Sequence, residues 1–200
     1  MTADEILEQL MAGNQRYVAK NTTHQHHEDM ARMSEVAMRQ QPIAVILGCS
    51  DSRVLPEFIF DRGIGDLFVI RVAGNVLDDV VLGSIEYAVE HFGICLVIVL
   101  GHERCGAVTA AVRHLQVYGH VNAVMRAIEP AVAMVQDTDP EPISQRERFA
   151  NEAAVIANIK LTVKGIEASA PILAELVDRG KLKVVGARYD LDDGLVQMVV

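Results

Sequence analysis

Two apolar runs constrain this chain more than any other feature: "IAVILG" at 43–48 and "ICLVIVLG" at 94–101. Each is short, rich in aliphatic and β-branched residues, and ends in glycine. Each is followed at once by a cluster of ligand-type residues, "CSDSR" and "HERCG". Runs of this length without polar alternation read as strands buried on both faces. "DLFVIRVAG" (66–74) reads as a third strand. "DDVVLGSIEYAVEHFG" (78–93) reads as a helix stopped by Gly93, and "ERCGAVTAAVRHL" (103–115) as another. The alternation predicts an α/β fold, a mainly parallel, doubly wound sheet with helices on both faces. "KLKVVGARYDLDDGLVQMVV" closes the chain as a hairpin about "DLDDG", which adds an antiparallel C-terminal edge strand.

Ahead of the first strand, Ile6, Leu7, Leu10, Met11, Tyr17 and Val18 recur at helical spacing over 4–19, with Gly13 weakening the middle. A second helix is expected near 28–39. From 122 to 179 the pattern is helical throughout, broken near "DTDPEPISQ" and reopening with Ser144 before Glu147 at capping-box spacing. Two hundred residues fit one domain, here a helical arm over 1–39 and an α/β core over 40–200.

No apolar run approaches the length of a membrane span, and the acidic, amphipathic start "MTADEILEQLMAG" lacks the regions of a signal peptide. The expected location is the cytoplasm. A net charge of −9 argues against a nucleic-acid partner. Three cysteines suggest no disulfide framework, and Cys95, inside an apolar run, reads as core.

In extended backbone, residues i, i+2 and i+4 share a face, so Cys49, Asp51 and Arg53 point into one volume. His102 and Cys105 lie one helical turn apart where strand gives way to helix. If 43–48 and 94–101 flank the switch point of a doubly wound sheet, Cys49, His102 and Cys105 meet in the crevice beyond the strand ends. Two thiolates and an imidazole suit Zn²⁺ and leave a fourth position open, as catalytic zinc requires. A water bound there would deprotonate near neutral pH. Asp51 could orient it, and Arg53 could clamp Asp51 through a bidentate pair. Rival readings fit less well. A cysteine phosphatase would need an arginine where Leu55 stands, and a structural zinc module would need a fourth unconditional ligand. "HQHH" at 24–27 has no cysteine or carboxylate at ligand spacing and reads against metal binding. His91, His114 and His120 read as surface or packed residues, and Glu103 and Arg104 as a pair at the helix start.

"CSDSRV" at 49–54 followed by "GHERCGAV" at 101–108 resembles the β-class carbonic anhydrases, in their plant-like branch. "PEFIFDRGIGDLFVIRVAGN", "GSIEYAVEHFG", "YDLDDG" and the N-terminal "GNQRYV" extend the similarity over nearly the whole chain. The resemblance implies one Zn²⁺ per chain on Cys49, His102 and Cys105, and reversible hydration of carbon dioxide to bicarbonate and a proton by zinc-bound hydroxide. Asp51 and Arg53 would form the catalytic dyad, with Asp51 a conditional fourth ligand. Gln40, Phe68, Tyr87 and Gly106 match substrate-pocket positions, some of them contributed across a subunit interface. A homodimer or homotetramer with N-terminal helices wrapped around the neighbour is implied, with a small molecule as substrate. A related hydrolase of CS2 or COS could share every ligand. Two departures stand out. Arg71-Val72-Ala73-Gly74-Asn75 replaces the Arg-Asn start of many relatives. Ile46 stands where the branch with a second, inhibitory bicarbonate site carries tryptophan, and this chain has none.

Overall fold

The computed structural model describes residues 1–23, 30–135 and 143–200. Five strands form one sheet in the order β2-β1-β3-β4-β5. They are β1 (Ala44–Gly48), β2 (Leu67–Arg71), β3 (Leu96–His102), β4 (Lys183–Tyr189) and β5 (Val196–Met198). The first four are parallel, and β5 runs antiparallel to β4. The chain lays β2 on one side of β1 and β3 on the other, so the winding switches between β1 and β3. Both flanking strands are buried along their whole length, as their uniform apolar composition requires.

Helices cover both faces. On one, α4 (Asp79–Phe92), α5 (Gly106–Val112), α6 (Val121–Ala133), α7 (Ile143–Glu167) and α8 (Ile172–Asp178) pack on the sheet side carrying Val45, Leu47, Val97 and Val99. On the other, α1 (Ala3–Val18) and the short α3 (Pro56–Ile59) cover Ala44, Ile46, Leu96, Ile98 and Leu100. Strand alternation divides these side chains between the two cores. The remaining helix, α2 (Met30–Val36), is tied to the loop before β2 by Arg32, which reaches Asp66 at 2.7 Å. The "HQHH" tract and the side chains of Ser144 and Glu147 lie outside the described residues.

Three expectations shift. The helix expected from 103 begins at Gly106, because Arg104 takes a left-handed φ of 52° and Cys105 is extended. The strand expected over 66–74 ends at Arg71, and Ala73–Asn75 forms a 3-10 turn around Gly74. The C-terminal helical region breaks a second time, at 168–171, where Pro171 offers no N–H to continue the ladder.

Within the chain, Ile6 and Leu10 of α1 are buried against the second core, so this helix covers part of its own sheet. Among the described residues, α1 and α3 are the helices on that face. Thr2 and Glu5 form a capping box at the start of α1. Gly13 lets the helix approach closely, since a Cβ there would stand 2.0 Å from the Phe60 carbonyl oxygen. Next to it, Asn14 is fully buried and joins three segments. Its amide donates to Ile59 O (3.2 Å) and Gly194 O (2.8 Å), and its oxygen accepts from Val196 N–H (2.9 Å). Asn14→Ala strands these buried backbone groups, each costing about 1–3 kcal/mol. Chemical denaturation should show a loss of about 3 kcal/mol. A loss under about 0.5 kcal/mol, the usual range for surface substitutions, would show that the docking of α1 does not depend on this residue.

Candidate active site

The ladder sets Gly48 opposite Leu100 across the β1–β3 pair, so Cys49, just past β1, meets the end of β3 at His102. Cys49, His102 and Cys105 converge there, all buried, with their ligand atoms within 4.8 Å of one another. The two sulfurs are 3.9 Å apart. Tetrahedral zinc with sulfur at about 2.3 Å requires a separation of about 3.8 Å. His102 is fully buried and its Nε2 has no hydrogen-bond partner among the described residues. Its Nδ1 lies 2.8 Å from the Glu103 carbonyl oxygen, which leaves Nε2 as the lone-pair nitrogen. A buried, oriented, unpartnered imidazole between two thiols is a donor set that fits a soft-to-borderline divalent metal.

The thiols are electrostatically unequal. The Cys49 thiol is lowered to about 4, mainly by the hydrogen bond from Cys105 and further by His102 and the Gly74 N–H, against the opposing effect of burial. Cys105 is pushed up, first by its bond to Cys49 and then by burial. One thiolate therefore forms readily, and a second awaits a compensating cation.

Asp51 lies beside this trio, with Oδ2 3.9 Å from His102 Nε2. It is turned toward Arg53, which donates Nε to Oδ1 (2.9 Å) and Nη2 to Oδ2 (2.8 Å), while the Arg53 N–H adds a bond of 3.0 Å. Both carboxylate oxygens are thus engaged, and Asp51 stands outside the ligand trio in this conformation. Gly106 opens α5 directly after Cys105 and is exposed.

The other expected pocket residues lie elsewhere in the chain. Gln40 is exposed and precedes β1, at the opposite end of that strand from Cys49. Phe68 pairs in register with Val45, about 13 Å along the strand from Cys49. It joins Tyr87, Phe92 and His91 in an aromatic group over the β2 edge, with Phe68–Tyr87 centroids 6.3 Å apart. Ile46 is fully buried on the opposite face, toward α1.

Sequence reasoning missed two supports. Arg71, at the end of β2, donates to Cys49 O (3.0 Å) and Asp51 O (2.6 Å), holding the loop that carries both. Gly74 N–H donates to Cys49 Sγ at 3.3 Å. The "RVAGN" segment was the available signal, but neither role shows in residue type. Glu103 and Arg104 do pair, at 2.8 Å, and Arg104 also reaches Asp192.

The family model for carbonic anhydrase matches residues 44–196. Carbonic anhydrase 2 of Mycobacterium tuberculosis is 39% identical over 189 residues, covering 92% of this chain and 87% of that protein. The carbonic anhydrase of Mycolicibacterium smegmatis is 35% identical, covering 94% and 89%. The chain belongs to the β-class carbonic anhydrases. Its reaction is the reversible hydration of carbon dioxide to bicarbonate. Among solved structures, the β-carbonic anhydrase CcaA superposes with a TM-score of 0.75 at 27% identity, covering 96% of this chain and 94% of that one. The Coccomyxa enzyme in complex with acetazolamide gives 0.73 at 28%, covering 96% and 85%.

The hydrogen bonds from Arg53 hold the Asp51 carboxyl well below the usual carboxylate range. A folded pKa depressed in this way contributes stability that is present above the unfolded value, near 4, and is lost as pH falls through the folded one. The Asp51 carboxyl carbon should therefore show no protonation midpoint by NMR between about pH 3 and about pH 9, a window that includes the ordinary aspartate value near 4. A midpoint inside that window would mean that the Arg53 clamp is not formed in solution.

Proposed function

We propose that the carbon dioxide hydration site of this chain is a zinc centre held by Cys49, His102 and Cys105, with Asp51 and Arg53 as its catalytic dyad. The observation that carries it is the fully buried, unpartnered His102 Nε2, set between two thiols and 3.9 Å from a clamped carboxylate. When bound, zinc supplies the Lewis acidity that makes water a nucleophile at neutral pH. The protein's contribution is positional. Asp51 accepts a hydrogen bond from the attacking water and aims its lone pair at the carbon of the substrate. Arg53 keeps Asp51 ionised and turned away from the ligand trio. Gly106, without a side chain, leaves room beside Cys105, since a Cβ built there meets nothing within 4 Å.

Gln40, Phe68 and Tyr87 complete the pocket of a neighbouring subunit in this reading. What supports it is their place: β2 is an edge strand, half-buried and apolar, and Tyr87 is 47% exposed beside it. A homodimer across that edge, alone or paired into a tetramer, would cover the aromatic group. A reducing compartment, the cytoplasm, is supported by the three free cysteines. Oxidation of the closely spaced Cys49 and Cys105 would remove two ligands at once. No helix among the described residues is long and apolar enough to cross a membrane.

Stopped-flow carbon dioxide hydration, with zinc quantified in the same samples, tests the centre. Asp51→Asn keeps shape but removes charge, and should slow hydration by roughly 10²-fold with zinc retained. Arg53→Ala should do likewise, and Cys105→Ser should lose most of the metal. Near-full activity of both dyad variants would reduce the Asp51–Arg53 pair to a turn brace. For assembly, Phe68→Asp should lower the sedimentation coefficient to that of a smaller species. An unchanged coefficient would move the interface away from the β2 edge.

A further inference from the structure

We propose that Asn158, on α7, is a positioning residue of the metal centre: through Gly74 it sets how strongly the Cys49 sulfur donates charge to the metal. The inference rests on the reading of Cys49 as a metal ligand and extends it to a helix that contributes no ligand. Asn158 is 4% exposed, and its side-chain amide donates to Gly74 O at 2.8 Å. Gly74 in turn donates its N–H to Cys49 Sγ at 3.3 Å. Both bonds involve one residue, so fixing its carbonyl limits the rotations that aim its N–H.

That constraint is needed because the turn is unfavourable by itself. Gly74 has φ +69° and the next residue, Asn75, φ +43°. Non-glycine residues in this region persist only where their surroundings over-determine them, at about 1–3 kcal/mol each. A side chain at Gly74 would share that strain and would also have to displace Ile128, whose Cδ1 would stand 2.8 Å from its Cβ. Glycine is therefore favoured, and glycine is also free to rotate away from Cys49. α7 opposes that freedom. Thr162, four residues beyond Asn158 and on the same helix face, donates to Asn75 O at 3.5 Å. Their buried neighbours on α7, Ala154, Val155, Ile159 and Val163, are apolar. An N–H···S bond withdraws charge from a thiolate, so its loss leaves sulfur a stronger donor to the metal. Outer partners of this kind set ligand basicity and affinity.

The test uses the full chain loaded with Co²⁺, whose thiolate-to-metal charge-transfer band reports sulfur basicity, and a chelator competition for Zn²⁺. A band in the unsubstituted protein first establishes thiolate ligation; its absence would overturn the ligand reading itself. Asn158→Ala, and the isosteric Asn158→Asp that cannot donate to a carbonyl, should move the band to lower energy. Because they also release the constraint that positions Cys49, they should weaken zinc binding by about 10- to 100-fold despite the stronger sulfur donor. Val163→Ala, a truncation on the same helix, should lower the melting temperature and leave band and affinity unchanged. If the Asn158 variants lose only melting temperature, the residue is merely structural and the proposal fails. Should neither variant fold, the unsubstituted protein loaded with ¹¹³Cd decides. Scalar coupling between cadmium and the Gly74 amide proton supports the linkage, and no coupling overturns it.

Discussion

Parallel pairing of β1 with β3, Gly48 opposite Leu100, places two segments distant in sequence side by side, and the meeting of Cys49, His102 and Cys105 depends on that register. Slipping a strand by one residue would turn its side chains to the other face. Cys49 would then leave His102, and Val45 and Leu47 would leave their core. The register is therefore held by packing. Val45, Ile46, Leu47 and Leu96 to Leu100 are essentially unexposed. Burying each such side chain is worth about 1.5–3 kcal/mol. The left-handed residues of the site, Asn75 and Arg104, cost about 1–3 kcal/mol each. A sheet centre of this kind holds such features where a peripheral hairpin would relax.

Around that ladder, the loop after β1 is supported from three directions. Arg71 grips the carbonyls of Cys49 and Asp51 from β2. Gly74 meets the Cys49 sulfur from the following turn, and Asn158 reaches Gly74 from α7. On the β3 side, Glu103 is buried, accepts from Leu191 N–H at 2.7 Å and pairs with Arg104. The C-terminal hairpin thereby braces the residue whose carbonyl orients His102. Cys49 and His102 thus owe their direction in part to elements that carry none of the three converging residues.

This division explains what was legible in the sequence. The strands, the switch between β1 and β3 and the meeting of Cys49, His102 and Cys105 followed from aliphatic runs ending in glycine before Cys49 and His102. Those signals are local, and the structure keeps them. Asp51 and Arg53 were legible for the same reason, being two residues apart. Supports made across the fold left no local mark. Arg71 looks like any strand-end arginine, and Asn158 sits on a helix packed on several sides, with little polar–apolar periodicity to read. The break before Gly106 was missed because a left-handed Arg104 carries no compositional cue. Docking of α1 on its own sheet turned on how much of that face other helices left open, a quantity that periodicity does not contain.

Charge matching gives the Asp51–Arg53 pair its logic at a site of this composition. If Cys49 and Cys105 hold a divalent cation as proposed, two thiolates already neutralise it, and a third anionic ligand would leave the centre with excess negative charge. Arg53 matches Asp51 one for one, and it does so at both oxygens, through Nε and Nη2. Were Oδ2 to turn toward the trio, it would give up the Nη2 bond and leave a guanidinium edge without its partner. Arg53 is about half exposed, so water would recover part of that loss. Charge alone therefore does not fix the carboxylate. The planar fork does, because it occupies both oxygens in one plane at once. Lysine carries the same charge as a single point and would engage one oxygen, leaving the other free to swing toward the metal. On the proposed reading, the requirement at position 53 is for the shape of arginine as much as for its charge.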